Sequence, residues 1–337
     1  MSVCQVDNIM DVYQKGCVSE EKILVTGASG FIGGALFHEL QQSKESVFAL
    51  CRRPGLFSNA RLASLQQAEL LPDACVDIDT VYHCAGFAHA WSKVESNYAD
   101  HHQSINFEGT RNLIDAAGRS GVRRFVFLSS VKAMGEPGEV CADEDWPLPP
   151  LTPYGQAKRA AEDAVLEAGA RYGMHVVNLR LTMVYGPGGR GNLERMAALV
   201  RRGWFPPLPE TGNRRSLVYV DDVVSAMRLV AHVPAAAGRT WIVADEAAYS
   251  GRELYVALRA ALGLAPRRHA VPAGGLATVA AIGDRLERLL GRRLPFDSEV
   301  LDKLLGSAWY SSARLRGELG WRPQVSLAEG LQRMCRT

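Results

Sequence analysis

The chain of 337 residues is 47% hydrophobic and carries a formal net charge of +2. That much apolar material supports one large domain or two and excludes a disordered chain. The near balance of charge excludes a global field aimed at nucleic acid or acidic lipid, so any anion has to be held by local groups.

Residues 1–21 carry Asp7, Asp11, Lys15, Glu20 and Glu21 where a signal segment would be apolar, and no apolar run of about 18 residues follows. They are expected to form an N-terminal tail on a cytoplasmic protein with no membrane insertion. The seven cysteines (Cys4, Cys17, Cys51, Cys75, Cys84, Cys141, Cys335) are odd in number, scattered and never spaced C-x-x-C, which favours a reducing compartment and offers no metal site.

Order is expected from Lys22 onward. Ile23, Leu24 and Val25 read as a buried strand, residues 26–33 as a tight turn and residues 35–40 as a helix. Gly27 lets the chain reverse out of the strand, Gly30 lets the backbone approach a pyrophosphate, and Gly33 lets the helix lie close on the sheet. A phosphate would then meet unpaired helix N–H groups. The alternative is a plain strand-to-helix turn, and the fit of strand and helix around the glycines favours the dinucleotide site. Residues 46–51 read as a second strand, followed by Arg52 and Arg53 with no carboxylate. Arginine suits the 2′-phosphate of NADP, so NADP(H) is favoured over NAD(H), against the alternative of a solvated loop pair. Residues 59–79 carry no clear pattern.

Residues 80–86 read as a buried strand ending in Cys84, Ala85 and Gly86, small enough for a cofactor to lie across the tip. His89 follows, either as a surface residue or as a substrate contact. Residues 104–117 have helical periodicity with Asn106 in the first turn, where an amide can also serve as a cap. Residues 125–130 form the clearest strand and end in Ser129 and Ser130. Residues 137–153 form a proline-rich acidic loop whose length suggests a cover. Pro153 opens a helix to about residue 170 that carries Tyr154 and Lys158 on one face. Residues 176–180 start another strand, broken at Tyr185, Gly186 and Pro187. Residues 218–222 lead into a helix ending near Ala231, and Trp241, Ile242 and Val243 form a strand expected to return to the first domain. Leu276, Val279, Ala280, Leu286 and Leu290 recur at helical spacing among Arg285, Arg288, Arg292 and Arg293. A core or domain-interface helix is favoured there over a membrane-surface helix.

The expected fold is α/β, a Rossmann doubly wound parallel sheet with a smaller, interleaved C-terminal α/β substrate domain. Residues 22–184 form the dinucleotide-binding part, residues 217–245 return to it, and residues 185–337 form the substrate-binding part. A serine at a strand tip and a tyrosine and lysine one helical turn apart suit coupled hydride and proton transfer, because reducing a carbonyl needs an acid at its oxygen as hydride reaches its carbon. Using at neutral pH a phenol that ordinarily ionises near pH 10 costs about 4 kcal/mol. Lys158 and a cationic nicotinamide can supply that field.

The sequence resembles the extended short-chain dehydrogenase/reductase family in its nucleotide-sugar epimerase/dehydratase branch. The resemblance rests on the stretches 26–33 (TGASGFIG), 83–86 (HCAG), 106–110 (NFEGT), Ser129-Ser130, 154–158 (YGQAK), 184–187 (VYGP), 215–222 (RSLVYVDD) and 319–323 (LGWRP), and it spans nearly the whole chain from Lys22. It implies that Gly27, Ser29, Gly30, Phe31, Ile32 and Gly33 form the cofactor loop. It further implies that Arg52, Arg53, Cys84, Ala85, Gly86, Asn106 and Ser129 lie near the cofactor, together with Tyr154 and Lys158. Ser130, Tyr154 and Lys158 would be catalytic, Asn192 and Arg215 would hold a substrate diphosphate, and the helices near Asn106 and Tyr154 would pair in a homodimer. Residues 128–132 and 213–217 look most like UDP-sugar 4-ketoreductases and 4-epimerases of the N-acetylquinovosamine kind, which act in surface-polysaccharide assembly. Val131 and Lys132 stand where sugar dehydratases carry a carboxylate after the hydroxyl, which argues against dehydration. Met183 replaces an asparagine found in many 4-epimerases, and the Gly-Asp pair usual after the second strand is missing. A reductase of a hydrophobic alcohol or ketone, and an inactive dinucleotide sensor, are the competing expectations.

Overall fold

A computed structural model describes residues 21–87, 98–267, 269–290, 301–302 and 305–336. His89 and most of the expected tail lie outside the described residues.

Seven strands form one sheet in the order Arg239–Val243, His175–Leu181, Arg124–Ser130, Thr80–His83, Lys22–Thr26, Ser46–Cys51, Ala60–Leu62, and every neighbouring pair is parallel. Parallel strands need a crossover between them and are buried on both faces, so they read as continuous apolar runs. Phe125, Val126, Phe127 and Leu128 are all buried. One face packs Leu36, Phe37, Val223, Met227 and Trp321, the other Leu71, Leu113, Ile114, Ala161 and Val165. The strand order reverses direction between Lys22–Thr26 and Thr80–His83, and ligands of open parallel sheets gather at the carboxyl ends beside such a reversal.

The strand Arg239–Val243 does return to this sheet, pairing with His175–Leu181. After Leu181 the chain leaves it. Thr182 donates from its N–H and its hydroxyl to the Val243 carbonyl, and Met183–Tyr185 then pairs with Arg215–Tyr219, which also pairs with Ala248–Tyr249. Around this small sheet lies a separate core of Tyr185, Leu193, Met196, Phe205, Tyr255 and Leu331. Two distant matching stretches meet here. Asp222 accepts the N–H groups of Gln324 at 2.7 Å and Val325 at 3.2 Å, and Trp321 donates to the Ser225 hydroxyl.

Some local expectations change. The helix expected over 104–117 begins at Tyr98, runs through a wider π-helical stretch, His102–Glu108, and continues as Gly109–Arg119. That wider turn carries both His102 and Asn106 inward, and both are buried. The unread stretch 59–79 holds only a three-residue edge strand and short turns, too brief to show a period. In the helix Ala273–Leu290, Leu276 and Ala280 are buried against the separate core. Among the described residues no helix is long and apolar enough to cross a membrane.

Candidate active site

The carboxyl ends of the central strands open into a groove of about 600 Å³ whose lining includes Gly27, Ser29, Gly30, Cys84, Ala85 and Gly86. Gly27 has φ +68°, and a Cβ on it would stand 2.8 Å from the Ala85 nitrogen. A Cβ on Gly33 would stand 2.3 Å from the Gly27 carbonyl oxygen, so no larger residue allows this helix to approach. The helix Phe31–Gln42 begins after Gly30 without a side-chain cap, so its first N–H groups are available to an anion. Phe31 and Ile32 pack their side chains on the separate core; what they offer a phosphate is main chain. Arg52 and Arg53 are exposed on the groove wall, and no acidic residue is among its described lining.

Asn106 lies beneath the groove wall. Its carboxamide accepts the Phe87 N–H at 2.7 Å and donates to the Phe87 carbonyl at 2.9 Å, so this amide shapes the wall at residues 86–87 and is no simple helix cap.

Ser130 ends its strand, and its oxygen accepts the Lys132 N–H at 3.2 Å. Tyr154 is the second residue of the helix Pro153–Tyr172, whose start is set by Pro153 and by the Thr152 hydroxyl accepting the Gly155 N–H at 3.1 Å. The helix start packs against the 131–133 turn, and the Ser130 hydroxyl is near enough to the Tyr154 phenol to lower its pKa against the effect of burial. Lys158, one turn on and buried, donates to the Leu128 carbonyl at 2.8 Å and lies 4.5 Å from the centre of the Phe127 ring. Burial pushes the Lys158 ammonium down to about 8, while Glu162 pulls it back up.

Burial raises the Tyr154 phenol above its ordinary value, the Ser130 hydrogen bond opposes that, and Tyr98 adds to it. Lys158 has its hydrogen bond on a main-chain carbonyl. The Ser129 hydroxyl donates to Glu162 at 2.5 Å. Glu162 is gripped in turn by Arg180, whose Nη2 is 2.7 Å from Oε2 in a fully buried pair. Sequence reasoning missed both, although Glu162 stands four residues after Lys158 on the same helix and the spacing was there to see. It also missed His102, whose ring packs edge-on against Tyr154 with centroids 5.3 Å apart.

Arg215 begins its strand half-buried and donates to the Gly306 carbonyl at 2.9 Å. Burial lowers the Arg215 guanidinium, with Tyr310 and then Glu136 opposing it, and Glu136 pairs with Lys132. Gly306 also borders a second cavity of about 640 Å³ lined by Ala273, Ala277, Leu301, Asp302 and Leu305. Asn192 opens the helix Asn192–Arg201 and is exposed. No cluster of three metal-ligating side chains occurs among the described residues.

Residues 23–244 match the model of the NAD dependent epimerase/dehydratase family. The chain is 30% identical to a UDP-glucose 4-epimerase of Vibrio cholerae, with 94% of this chain and 96% of that protein aligned. It is likewise 30% identical to a 2-alkyl-3-oxoalkanoate reductase of Stenotrophomonas maltophilia, over 93% of this chain and 98% of that protein. The solved UDP-glucose 4-epimerase of Thermus thermophilus in complex with NAD superposes with a TM-score of 0.69 at 27% identity, covering 94% of this chain and 98% of that one. The chain belongs to the NAD-dependent epimerase/dehydratase family, of the extended short-chain dehydrogenase/reductase type.

Proposed function

We propose that the protein is a 4-ketoreductase or 4-epimerase of a UDP-linked sugar. The observation that carries this reading is the convergence of Ser130, Tyr154 and Lys158 at the carboxyl end of the sheet, beside a groove lined by the glycine turn. In this reading Ser130 holds the C4 oxygen, and Tyr154 gives that oxygen a proton in reduction and takes it back in oxidation. Lys158 keeps positive charge beneath the site. A bound dinucleotide supplies or accepts the hydride. Residues 185–337, apart from the returning stretch 217–245, form the substrate-binding part, with Arg215 as a bidentate anion clamp and Asn192 as its helper.

Arg52 and Arg53, with no acid on the described groove wall, favour NADP(H) for this chain, while the Thermus relative is solved with NAD. A homodimer across the helices bearing Asn106 and Tyr154 would join faces whose exposed residues, Arg111, Gln156, Arg159, Asp163 and Glu167, are polar, so its association weakens with salt. The free thiols of Cys51, Cys75, Cys84, Cys141 and Cys335 support a cytoplasmic setting.

The test is Tyr154→Phe assayed with UDP-hexoses and their 4-keto forms. Turnover is expected to fall about 10²–10⁴-fold with dinucleotide still bound; undiminished turnover rejects the reading. Retained dinucleotide with no external consumption identifies an epimerase, and stoichiometric NADPH oxidation identifies a reductase. A second reading, reduction of a hydrophobic ketone, is favoured by the equal identity to the 2-alkyl-3-oxoalkanoate reductase and by Met183. Competition separates the two, because an enzyme for hydrophobic ketones ignores UDP.

A further inference from the structure

His83 ends the strand Thr80–His83, is fully buried and touches no reacting group. Each ring nitrogen meets a threonine hydroxyl: Nδ1 lies 2.7 Å from Thr26 Oγ1 and Nε2 lies 2.9 Å from Thr110 Oγ1. The Thr110 hydroxyl donates its one proton to the Asn106 carbonyl at 2.7 Å, so toward His83 it can only accept. Nε2 therefore carries the ring proton, and Nδ1 is the acceptor. Thr26 must then donate to Nδ1, which leaves its oxygen to accept the Ala85 N–H at 3.0 Å. Every proton in the chain has one place, and the chain has one direction.

The points it joins are the facing walls of the groove. Thr26 opens the glycine turn, Ala85 stands opposite, and Asn106 grips both main-chain groups of Phe87. The walls are already at contact, since a Cβ on Gly27 would come 2.8 Å from the Ala85 nitrogen. A small shift of either wall therefore reaches the other. Phe127 stacks on the His83 ring at 5.5 Å and holds its plane.

We propose that His83 is a positioning residue for the dinucleotide: through Thr26, Ala85 and Thr110 it sets the separation of the two groove walls without touching the ligand. The proposal rests on reading the groove as the dinucleotide site. Burial, and secondarily the Lys158 ammonium, push the ring pKa down to about 3, so the ring stays neutral and the chain does not reverse at working pH.

Two measurements on the full-length protein test it. Nitrogen-15 NMR of histidine-labelled protein, with the His83 signal identified by its loss in His83→Asn, is expected to show the Nε2–H form unchanged from about pH 5.5 to 8.5, as follows from a ring that does not titrate there. The other tautomer, or a titrating ring, overturns the proposal. NADH and NADPH fluorescence titrations then compare two variants. His83→Asn keeps an acceptor for Thr26 and loses Thr110, and is expected to raise the dissociation constant about tenfold; His83→Leu loses both bonds and is expected to raise it about a hundredfold. The kcat at saturating dinucleotide stays within about threefold, since binding and not the transition state is affected. Where His83→Leu does not fold, His83→Asn decides. Lowered melting temperature with unchanged dinucleotide affinity overturns the proposal and leaves the groove reading standing. A wild-type protein that binds neither dinucleotide overturns both.

Discussion

Gly155 follows Tyr154 directly, and a methyl group there tests how closely the proton donor must be held. A Cβ at Gly155 would lie 2.2 Å from the Lys132 carbonyl oxygen and 2.8 Å from Pro150 Cβ, whereas ordinary contact begins at 3.4 Å. Neither neighbour is the free end of a flexible side chain. The Lys132 amide is tied to Ser130, and the helix start is tied to Thr152. Gly155→Ala must therefore part the 131–133 turn from the helix by about 1.2 Å, the difference between those two distances. A parting of that size moves Ser130, at the start of the turn, away from Tyr154, at the start of the helix. A misplacement of about 1 Å in a positioned catalytic group costs about 10²-fold in rate, and overpacking adds about 1–3 kcal/mol of instability. The assay is kcat with whichever nucleotide sugar the wild type turns over, beside dinucleotide titration and thermal melting. Turnover should drop about a hundredfold while dinucleotide affinity holds, because Gly155 is outside the groove lining. A folded variant with kcat near wild type would refute the claim that this contact sets the catalytic geometry.

Asp245 is buried and neither carboxylate oxygen has a hydrogen-bond partner; burial first and Asp222 second push it up to about 8. The native state then holds a proton that the unfolded chain releases near pH 4, so this residue's contribution falls as pH rises from about 4 to 8. Urea midpoints of Asp245→Asn should lose that part of the decline between pH 5 and pH 8; slopes equal to wild type would contradict it. Lys158, held down to about 8 by burial, should place the basic limb of the kcat/KM profile of the free enzyme near that pH. A profile flat to pH 9.5 would contradict this placement. Replacing Arg52 and Arg53 together by alanine should weaken NADPH about tenfold or more and leave NADH nearly untouched, as expected for losing charge-assisted bonds to a 2′-phosphate. Equal losses for both dinucleotides would remove the case for NADP(H).

What the sequence by itself determined was what lies within one element. The glycine turn at 27–33, the apolar run ending in Ser129 and Ser130, and the shared face of Tyr154 and Lys158 are local patterns. Their spacing follows from the periods of strand and helix, whatever surrounds them. Which element sits beside which was decided only by the tertiary structure. Ser129 and Glu162 are 33 positions apart, Thr26 and His83 are 57 apart, and Arg215 reaches Gly306 across 91. Such pairs depend on strand order and register, which no window of sequence contains. The state of Tyr154 belongs with them: a lysine four residues away was legible, but that its ammonium would turn to the Leu128 carbonyl, and that burial would raise the phenol, required the neighbouring strand in place. Helical spacing specifies which side chains are near one another, while desolvation and hydrogen-bond partners come from whatever the fold packs against them.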